Sequence, residues 1–170
     1  MAETDGTQRV RIGILLARQP EDPGGWLADG AAFEAAGADA LWVDLAPEAE
    51  LDPLTVTAAL AAVTYRSLLV LALPVPGESS DRALATVAAL SRGRLRILSG
   101  SYDHPYRLDS AQRWVPAPVP DNRAAWGPTL ADAAERGYHG LVVPADPRLI
   151  DILRNPDDPG PRLDLHLAQG

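Results

Sequence analysis

The residues of this chain best suited to chemistry form one short run, Ser99-Gly100-Ser101-Tyr102-Asp103-His104. Two serine hydroxyls and the backbone amides beside a glycine could hold a phosphate, and a histidine next to an aspartate could move a proton. The run follows residues 94–98, R-L-R-I-L, which predict a β-strand. A polar surface loop with a solvated histidine would have the same composition, so both interpretations are kept.

Other polar residues follow predicted strands in the same way. Functional side chains of α/β folds lie in the loops after the carboxyl ends of strands, and Asn122 and Arg123 follow a predicted strand at residues 113–119. The Arg123 guanidinium could pair with a phosphate or bond a nearby carboxylate. Asp146 before Pro147 is typical of a helix start and is interpreted as an N-cap. Further residues at such positions are Arg18, Gln19, Asp44, Pro74 and Asp121.

Composition excludes several kinds of chemistry. The chain has no cysteine and no lysine, which excludes disulfides, thiolate catalysis, Schiff-base chemistry and a P-loop lysine. Its three histidines, His104, His139 and His166, lack the spacing of a metal site, so no metal is predicted. The net charge of −8 disfavours binding to nucleic acid or to anionic membranes. No apolar run approaches the roughly 20 residues of a membrane span, and a cytoplasmic protein is expected.

A helix-to-strand phrase that occurs twice, one hundred residues apart, predicts the elements that position these side chains. Residues 33–43 and 133–143 share a glycine, a leucine and a valine at equivalent positions. The glycine can take the left-handed conformation that ends a helix, and a short apolar strand follows. Such continuous apolar strands are typical of parallel sheets buried on both faces.

The remaining elements are predicted from apolar runs and helix signals. Asp52 and Pro53 mark the start of a helix that extends to residue 63. Ser79 or Ser80 can cap a helix that ends at Leu90, and the strand containing Pro116 and Pro118 is predicted at a sheet edge. The other predicted strands span residues 10–16, 41–43, 67–73 and 141–143, and the other helices span residues 26–36, 128–136 and 148–153.

About six parallel strands are therefore predicted in one domain, residues 9–154, between a disordered leader at residues 1–8 and a Pro/Asp-rich tail at residues 155–170. A complete (β/α)₈ barrel takes about 250 residues, more than this chain has. The predicted fold class is α/β, as an incomplete or shortened TIM-barrel-like fold, with an open sheet or a barrel completed by a second chain as alternatives.

Three phrases between residues 9 and 101 carry a resemblance to a known family. They are E-A-A-G-A-D-A-L-W-V at residues 34–43, D-P-L-T-V-T-A-A-L-A-A-V-T-Y-R at residues 52–66, and A-L-A-T-V-A-A-L-S-R-G-R at residues 83–94. In this order they resemble phrases of the bacterial luciferase-like flavin-dependent monooxygenases and reductases. The resemblance implies a (β/α)-barrel fold that binds reduced FMN or a deazaflavin at the carboxyl ends of its strands.

The resemblance also implies roles for the candidate residues. Ser99, Gly100 and Ser101 would lie near the flavin, and His104 would be the catalytic residue. Asn122 and Arg123 are expected to contact the same cofactor because they follow a predicted strand. The expected function is that of a luciferase-like flavin-dependent oxidoreductase or monooxygenase that acts on a small molecule.

Two departures from the family pattern support an alternative. Asp44-Leu45 stands where many deazaflavin-binding members have Asp-His, and the glycine-rich turn after the fourth strand is reduced to residues 99–101. The alternative is a non-catalytic accessory or binding subunit without a cofactor. A third possible function, an enzyme that acts on phosphate esters, is supported only by the predicted fold.

Contacts between subunits are expected in either case. An incomplete barrel would leave strand edges and apolar helix faces exposed, which predicts a homodimer or a heteromer with a full-length relative. The four tryptophans are expected in the core or at such a contact, and Trp42 on its short strand is expected to be packed.

Overall fold

The computed structural model describes residues 9–73, 81–99, 105–109 and 111–155, and every structural statement below concerns these residues. They form one seven-stranded sheet with the strand order β4-β3-β2-β1-β7-β6-β5. The strands are β1 (Arg11–Leu15), β2 (Ala40–Val43), β3 (Leu68–Leu73), β4 (Leu95–Ser99), β5 (Tyr106–Leu108), β6 (Gln112–Pro116) and β7 (Gly140–Pro144). The helices are α1 (Pro23–Ala36), α2 (Pro53–Val63), α3 (Asp81–Leu90), α4 (Arg123–Glu135) and α5 (Arg148–Arg154).

Six of the described strands are parallel, as predicted, and the short β5 runs antiparallel to β6. The two ends of the sheet approach each other. Arg96 of β4 bonds Asp109, which follows β5, with 2.7 Å between Nε and Oδ2. The sheet is thus nearly closed and barrel-like, although no backbone ladder joins the described residues of β4 and β5.

Alternating strand residues form two cores because successive side chains point to opposite faces of a sheet. Ile14, Leu41, Leu71 and Val143 face outward and pack with the buried residues of the helices. The inward residues form a second cluster that contains no helical residue. Its buried members are Ala40, Trp42, Val70, Leu108, Trp114 and Val142.

Two glycines make room for the indole rings inside this curved sheet. A Cβ on Gly13 would lie 2.5 Å from Trp42 Nε1, and a Cβ on Gly140 would overlap the ring of Trp114. The ring centroids of the two tryptophans are 5.9 Å apart, and both side chains are buried. The prediction that Trp42 is packed is therefore confirmed.

The helix starts follow local capping chemistry. Asp52 Oδ1 accepts a hydrogen bond of 2.7 Å from the Thr55 amide, which confirms the predicted start of α2 at Pro53. Helix α1 begins at Pro23, three residues before the predicted start at Trp26, because the Asp22 carboxylate already accepts from the Gly24 amide. Gly37 ends α1 at a φ of 115°, as the repeated phrase predicts.

The predicted start of α4 at Pro128 was wrong. The helix begins at Arg123, and Asn122 Oδ1 caps it by accepting a hydrogen bond of 3.0 Å from the Ala125 amide. Pro128 lies inside the helix, where it lacks the amide hydrogen that would bond the Ala124 carbonyl. Gly127 precedes it and carries no Cβ to meet the proline ring, which lowers the cost of this placement.

The prediction for the proline-bearing strand was also wrong in one respect. Strand β6 is not at the sheet edge, because it pairs with β7 on one side and with β5 on the other. Pro116 is tolerated as its last residue, and the following amide of Ala117 continues the bonding by donating to the Val142 carbonyl at 2.9 Å. Strand β5 was not predicted, because three residues are too few to show a period. None of the described helices combines the length and apolar character needed to cross a membrane.

Candidate functional site

Four side chains from three parts of the chain meet at the carboxyl ends of the parallel strands. They are Arg18 after β1, Trp42 and Asp44 at the end of β2, and Tyr106 at the start of β5, and we call them the mouth cluster. Arg18 Nε lies 3.1 Å from Asp44 Oδ2 and donates to the Asp44 carbonyl at 3.1 Å. The ring of Tyr106 packs on Trp42 with 5.1 Å between the centroids and 45° between the planes.

The environment of Tyr106 keeps its phenol protonated. Burial raises the pKa of Tyr106, the charge of Asp44 raises it further, and the charge of Arg18 lowers it by less. The phenol therefore carries its proton at neutral pH and can donate a hydrogen bond. The half-buried Tyr106 ring, its phenol donor and the Arg18 guanidinium can hold a flat polar ring by stacking and hydrogen bonding, with the buried Trp42 behind Tyr106.

One polar atom of this cluster has no partner in the described part of the chain. Trp42 Nε1 is buried, and no hydrogen-bond acceptor is present within reach among the described residues. The atom lies against the backbone of Gly13 rather than at the surface. Trp42 therefore supports the Tyr106 ring from inside the core and presents no donor at the mouth.

The candidate run after β4 falls largely outside the described residues, which exclude Gly100, Ser101 and His104. The backbone of Ser99 is described as the last residue of β4, in register with Leu73 of β3. This register puts the end of β4 at the carboxyl-end face of the sheet, the same face as the mouth cluster. The roles predicted for Ser99, Gly100, Ser101 and His104 stay predictions.

Asn122 and Arg123 lie at the same face and have partners within the protein. The Asn122 side chain caps α4, and Arg123 forms an ion pair with Asp151 of α5. The Arg123 side chain is 17% exposed. The ion pair is the alternative that the sequence left open for Arg123, and a contact with a cofactor phosphate stays a prediction for both residues.

The predicted N-cap of α5 was one residue off, because Pro147 occupies that position and Asp146 precedes it. Asp146 Oδ1 accepts from the Arg148 amide at 2.9 Å, and its carboxylate also bonds the Arg148 guanidinium. These hydrogen bonds hold the pKa of Asp146 below its ordinary value. The helix itself begins one residue after Pro147, so the carboxylate caps the turn that leads into it.

Two charged residues of the family-like phrases, Glu34 and Arg94, lie at the opposite end of the strands. Glu34 is buried and accepts hydrogen bonds of 2.7, 2.8 and 2.7 Å from the amides of Tyr65, Arg66 and Ser67. Burial raises the pKa of Glu34, but these backbone bonds together lower it more, so the net shift is downward. The Glu34 carboxylate is thus used to hold the turn between α2 and β3.

Arg94 stabilises the same turn by donating hydrogen bonds to its carbonyl oxygens. Its guanidinium donates to the carbonyls of Ala61, Thr64 and Ser67 at 3.2, 2.8 and 2.9 Å. Burial lowers the pKa of Arg94, and the charge of Glu34 opposes this shift. Residues at the amino-end face of a βα barrel typically contribute stability rather than catalysis, and the roles of Glu34 and Arg94 agree with this rule.

Sequence reasoning missed the contribution of Tyr106. The residue lies on the strand that was not predicted, and its contact with Trp42 joins positions 64 residues apart. Its place two residues after His104 was the available signal, because it borders the candidate run. Arg18 and Asp44 were recognised from their positions after strands, but their ion pair could not be.

Comparisons with known proteins do not assign this chain to a family. A scan against models of protein families finds no match for this chain, and a search of curated proteins finds no significant relative. Among the described residues, no group of three or more histidine or carboxylate side chains is arranged to hold a metal ion.

Proposed function

We propose that this chain is a luciferase-like flavoprotein on a shortened TIM-barrel-like fold, which binds reduced FMN or a deazaflavin at the mouth cluster. The observation that carries the proposal is the aromatic pair of Trp42 and Tyr106 beside the Arg18–Asp44 ion pair, at the carboxyl ends of parallel strands. This is the face where βα barrels bind their ligands. The order of the family-like phrases along the chain supports the same function.

The residues of the mouth fit the ring of a flavin. The half-buried Tyr106 ring offers an aromatic face for it, backed by the buried Trp42. The Tyr106 phenol can donate to a ring carbonyl, and Arg18 can donate a second hydrogen bond. A bound reduced flavin supplies the electrons for oxidoreductase or monooxygenase chemistry on a small molecule. In this proposal Ser99, Gly100, Ser101, Asn122 and Arg123 contact the cofactor and His104 moves a proton.

The alternative function, a non-catalytic accessory or binding subunit, is favoured by a different observation. Arg18, Arg123 and Arg148 at this face each bond an aspartate, so a cofactor phosphate would have to compete with Asp44, Asp151 or Asp146 for them. In the alternative these ion pairs are structural and the mouth binds no flavin.

Titration of the purified chain with FMN and with a deazaflavin, each oxidised and reduced, distinguishes the two functions. Tyr106→Ala removes the aromatic face and the donor, and we expect it to weaken binding at least tenfold, which corresponds to about 1.4 kcal/mol. Tyr106→Phe keeps the ring and loses the donor, so a smaller loss is expected. Fluorescence and calorimetry measure the affinity of each variant for the cofactor.

Tyr65→Phe is the matched control, because Tyr65 is 62% exposed at the opposite end of the strands. Its affinity for flavin should equal that of the unaltered protein. If the folded chain binds neither cofactor up to millimolar concentration, the flavoprotein function is wrong and the accessory function is favoured.

A further inference from the structure

The surface of this acidic chain carries a basic corner at the amino-end face of the sheet. The corner consists of Val63, Tyr65, Arg66, Leu90 and Arg92, at the ends of α2 and α3. Tyr65, Leu90 and Val63 are 62%, 46% and 41% exposed, which makes them three of the four large apolar side chains most exposed in the described part of the chain. Tyrosine and arginine side chains are enriched in protein interfaces.

Among the described residues, no carboxylate forms an ion pair with either arginine of this corner. The Arg92 guanidinium lies 5.0 Å from the centroid of the Tyr65 ring, and Arg66 donates to the Glu34 backbone carbonyl. The Glu34 carboxylate beneath the corner is buried and accepts from three backbone amides. The corner is therefore apolar and positively charged at the same time.

An acidic groove lies at the other end of the molecule, between the loop after β1 and the loop after β2. Its volume is about 460 Å³, and its lining includes Glu21, Glu48 and Glu50, with Ala49 and Leu51 as apolar residues. The three glutamates are exposed. Gln19 holds Glu48 by a hydrogen bond of 2.6 Å, so part of the acidic rim is fixed in position.

We propose that two copies of the chain associate head to tail, with the basic corner of one copy in the acidic groove of the next. Charge complementarity selects a second copy as the occupant, because the corner and the groove lie at opposite ends of one chain. Contact between two copies of the acidic groove would bring like charges together, as would contact between two basic corners. Such a head-to-tail contact uses different surfaces on its two sides and extends into chains or closes into rings.

This contact is independent of the proposed flavin site. Self-association is measured by molar mass without any cofactor, and flavin binding is measured by titration. Failure of one proposal therefore leaves the other unaffected.

Sedimentation velocity across a range of protein concentrations tests the contact. We expect the average mass to rise with concentration at low salt and to fall toward that of a monomer when salt screens the charges. Two neutralised variants separate the surfaces: Tyr65→Ser with Arg92→Gln removes the corner, and Glu48→Gln with Glu50→Gln removes the groove. Each variant alone is expected to be monomeric.

A mixture of the two variants gives the decisive result. The chain with Glu48→Gln and Glu50→Gln keeps its basic corner, and the chain with Tyr65→Ser and Arg92→Gln keeps its acidic groove. The first can therefore bind the second, and the mixture should form one-to-one dimers and nothing larger.

The charge-matched controls are Arg154→Gln for the corner substitutions and Asp132→Asn with Glu135→Gln for the groove substitutions. All three residues are exposed outside the corner and the groove, so these variants should associate like the unaltered chain. Circular dichroism checks that every variant is folded.

Three results would overturn the proposal. They are a monomer at every concentration, a dimer that survives both pairs of substitutions, and a mixture of the two variants that stays monomeric.

Discussion

At the scale of single residues, the three family-like phrases meet at one turn. Glu34 belongs to the first phrase, Thr64 and Arg66 to the second, and Arg94 to the third. Glu34 satisfies the amides of the turn after α2, and Arg94 satisfies its carbonyls. Arg94 therefore bonds carbonyls that the end of α2 leaves without a partner, and Glu34 bonds the amides of the turn that follows.

Replacing Glu34 by glutamine should destabilise the protein. Glutamine keeps one acceptor oxygen but turns an NH₂ group toward backbone donors, so at neutral pH we expect a loss of about 2–3 kcal/mol in the free energy of unfolding. Urea unfolding measures it. Glu135→Gln is the control, because Glu135 is exposed at the end of α4 and its loss should change stability by less than about 0.5 kcal/mol.

The same substitution should alter the dependence of stability on pH. The pKa of Glu34 in the folded protein is lowered from its ordinary value of 4.5, so its contribution is present above that value and is lost as the pH falls through the folded pKa. The difference in unfolding free energy between the two proteins should therefore narrow below about pH 4.5. A difference that stays constant down to the acid transition would contradict this role of the carboxylate.

Such residue roles were only partly predictable. The phrases contain Glu34 and Arg94, but neither residue was assigned a role from the sequence, because their convergence on one turn requires the neighbouring strands to be paired. The same holds for the mouth cluster, where Arg18 and Asp44 follow strands and could be named, whereas Tyr106 comes from across the curved sheet.

At the scale of secondary structure, the predictions succeeded where the signal is local and failed where it is not. Asp52 and Pro53 adjoin the helix they start, and Gly37 adjoins the helix it ends, so these boundaries could be predicted. Pro128 was misread because proline at a first helical position is common, while the actual cap, Asn122, lies six residues earlier. The position of β6 depends on a neighbour, β5, that has no sequence pattern of its own.

Packing of the strands against the indole rings leads to a prediction at this scale. A methyl group on Gly140 would overlap the fully buried Trp114 ring, so Gly140→Ala should lower the free energy of unfolding by about 1–3 kcal/mol. Denaturant unfolding followed by tryptophan fluorescence measures the change. Gly24→Ala is the control, because its added Cβ would meet only Asp22 Oδ1, at 3.3 Å, and a change within about 0.5 kcal/mol is expected.

At the scale of the whole molecule, the sheet closes by side chains where its backbone does not. Strands β4 and β5 end the strand order, and the Arg96–Asp109 ion pair crosses between them. Arg96 also donates to the carbonyls of Gly93 and Leu95, which holds its guanidinium toward the gap. Closure was not predictable from strand count, because it depends on the antiparallel β5 filling the last position.

Breaking this ion pair should make local opening between β4 and β5 easier while lowering the free energy of unfolding only slightly. Asp109 has a φ of 51°, and asparagine tolerates this left-handed conformation, so Asp109→Asn removes the charge and keeps the turn. The pair is partly exposed, at 31% and 48%, and its loss should cost less than about 1 kcal/mol. Amide hydrogen exchange in β4 and β5 should nevertheless become faster, because local opening of an edge needs less free energy than unfolding.

Asp132→Asn is the control, because it breaks the exposed Arg136–Asp132 pair of α4 and should leave exchange in both strands unchanged. Equal exchange in all three proteins would mean that the Arg96–Asp109 ion pair does not hold the sheet closed.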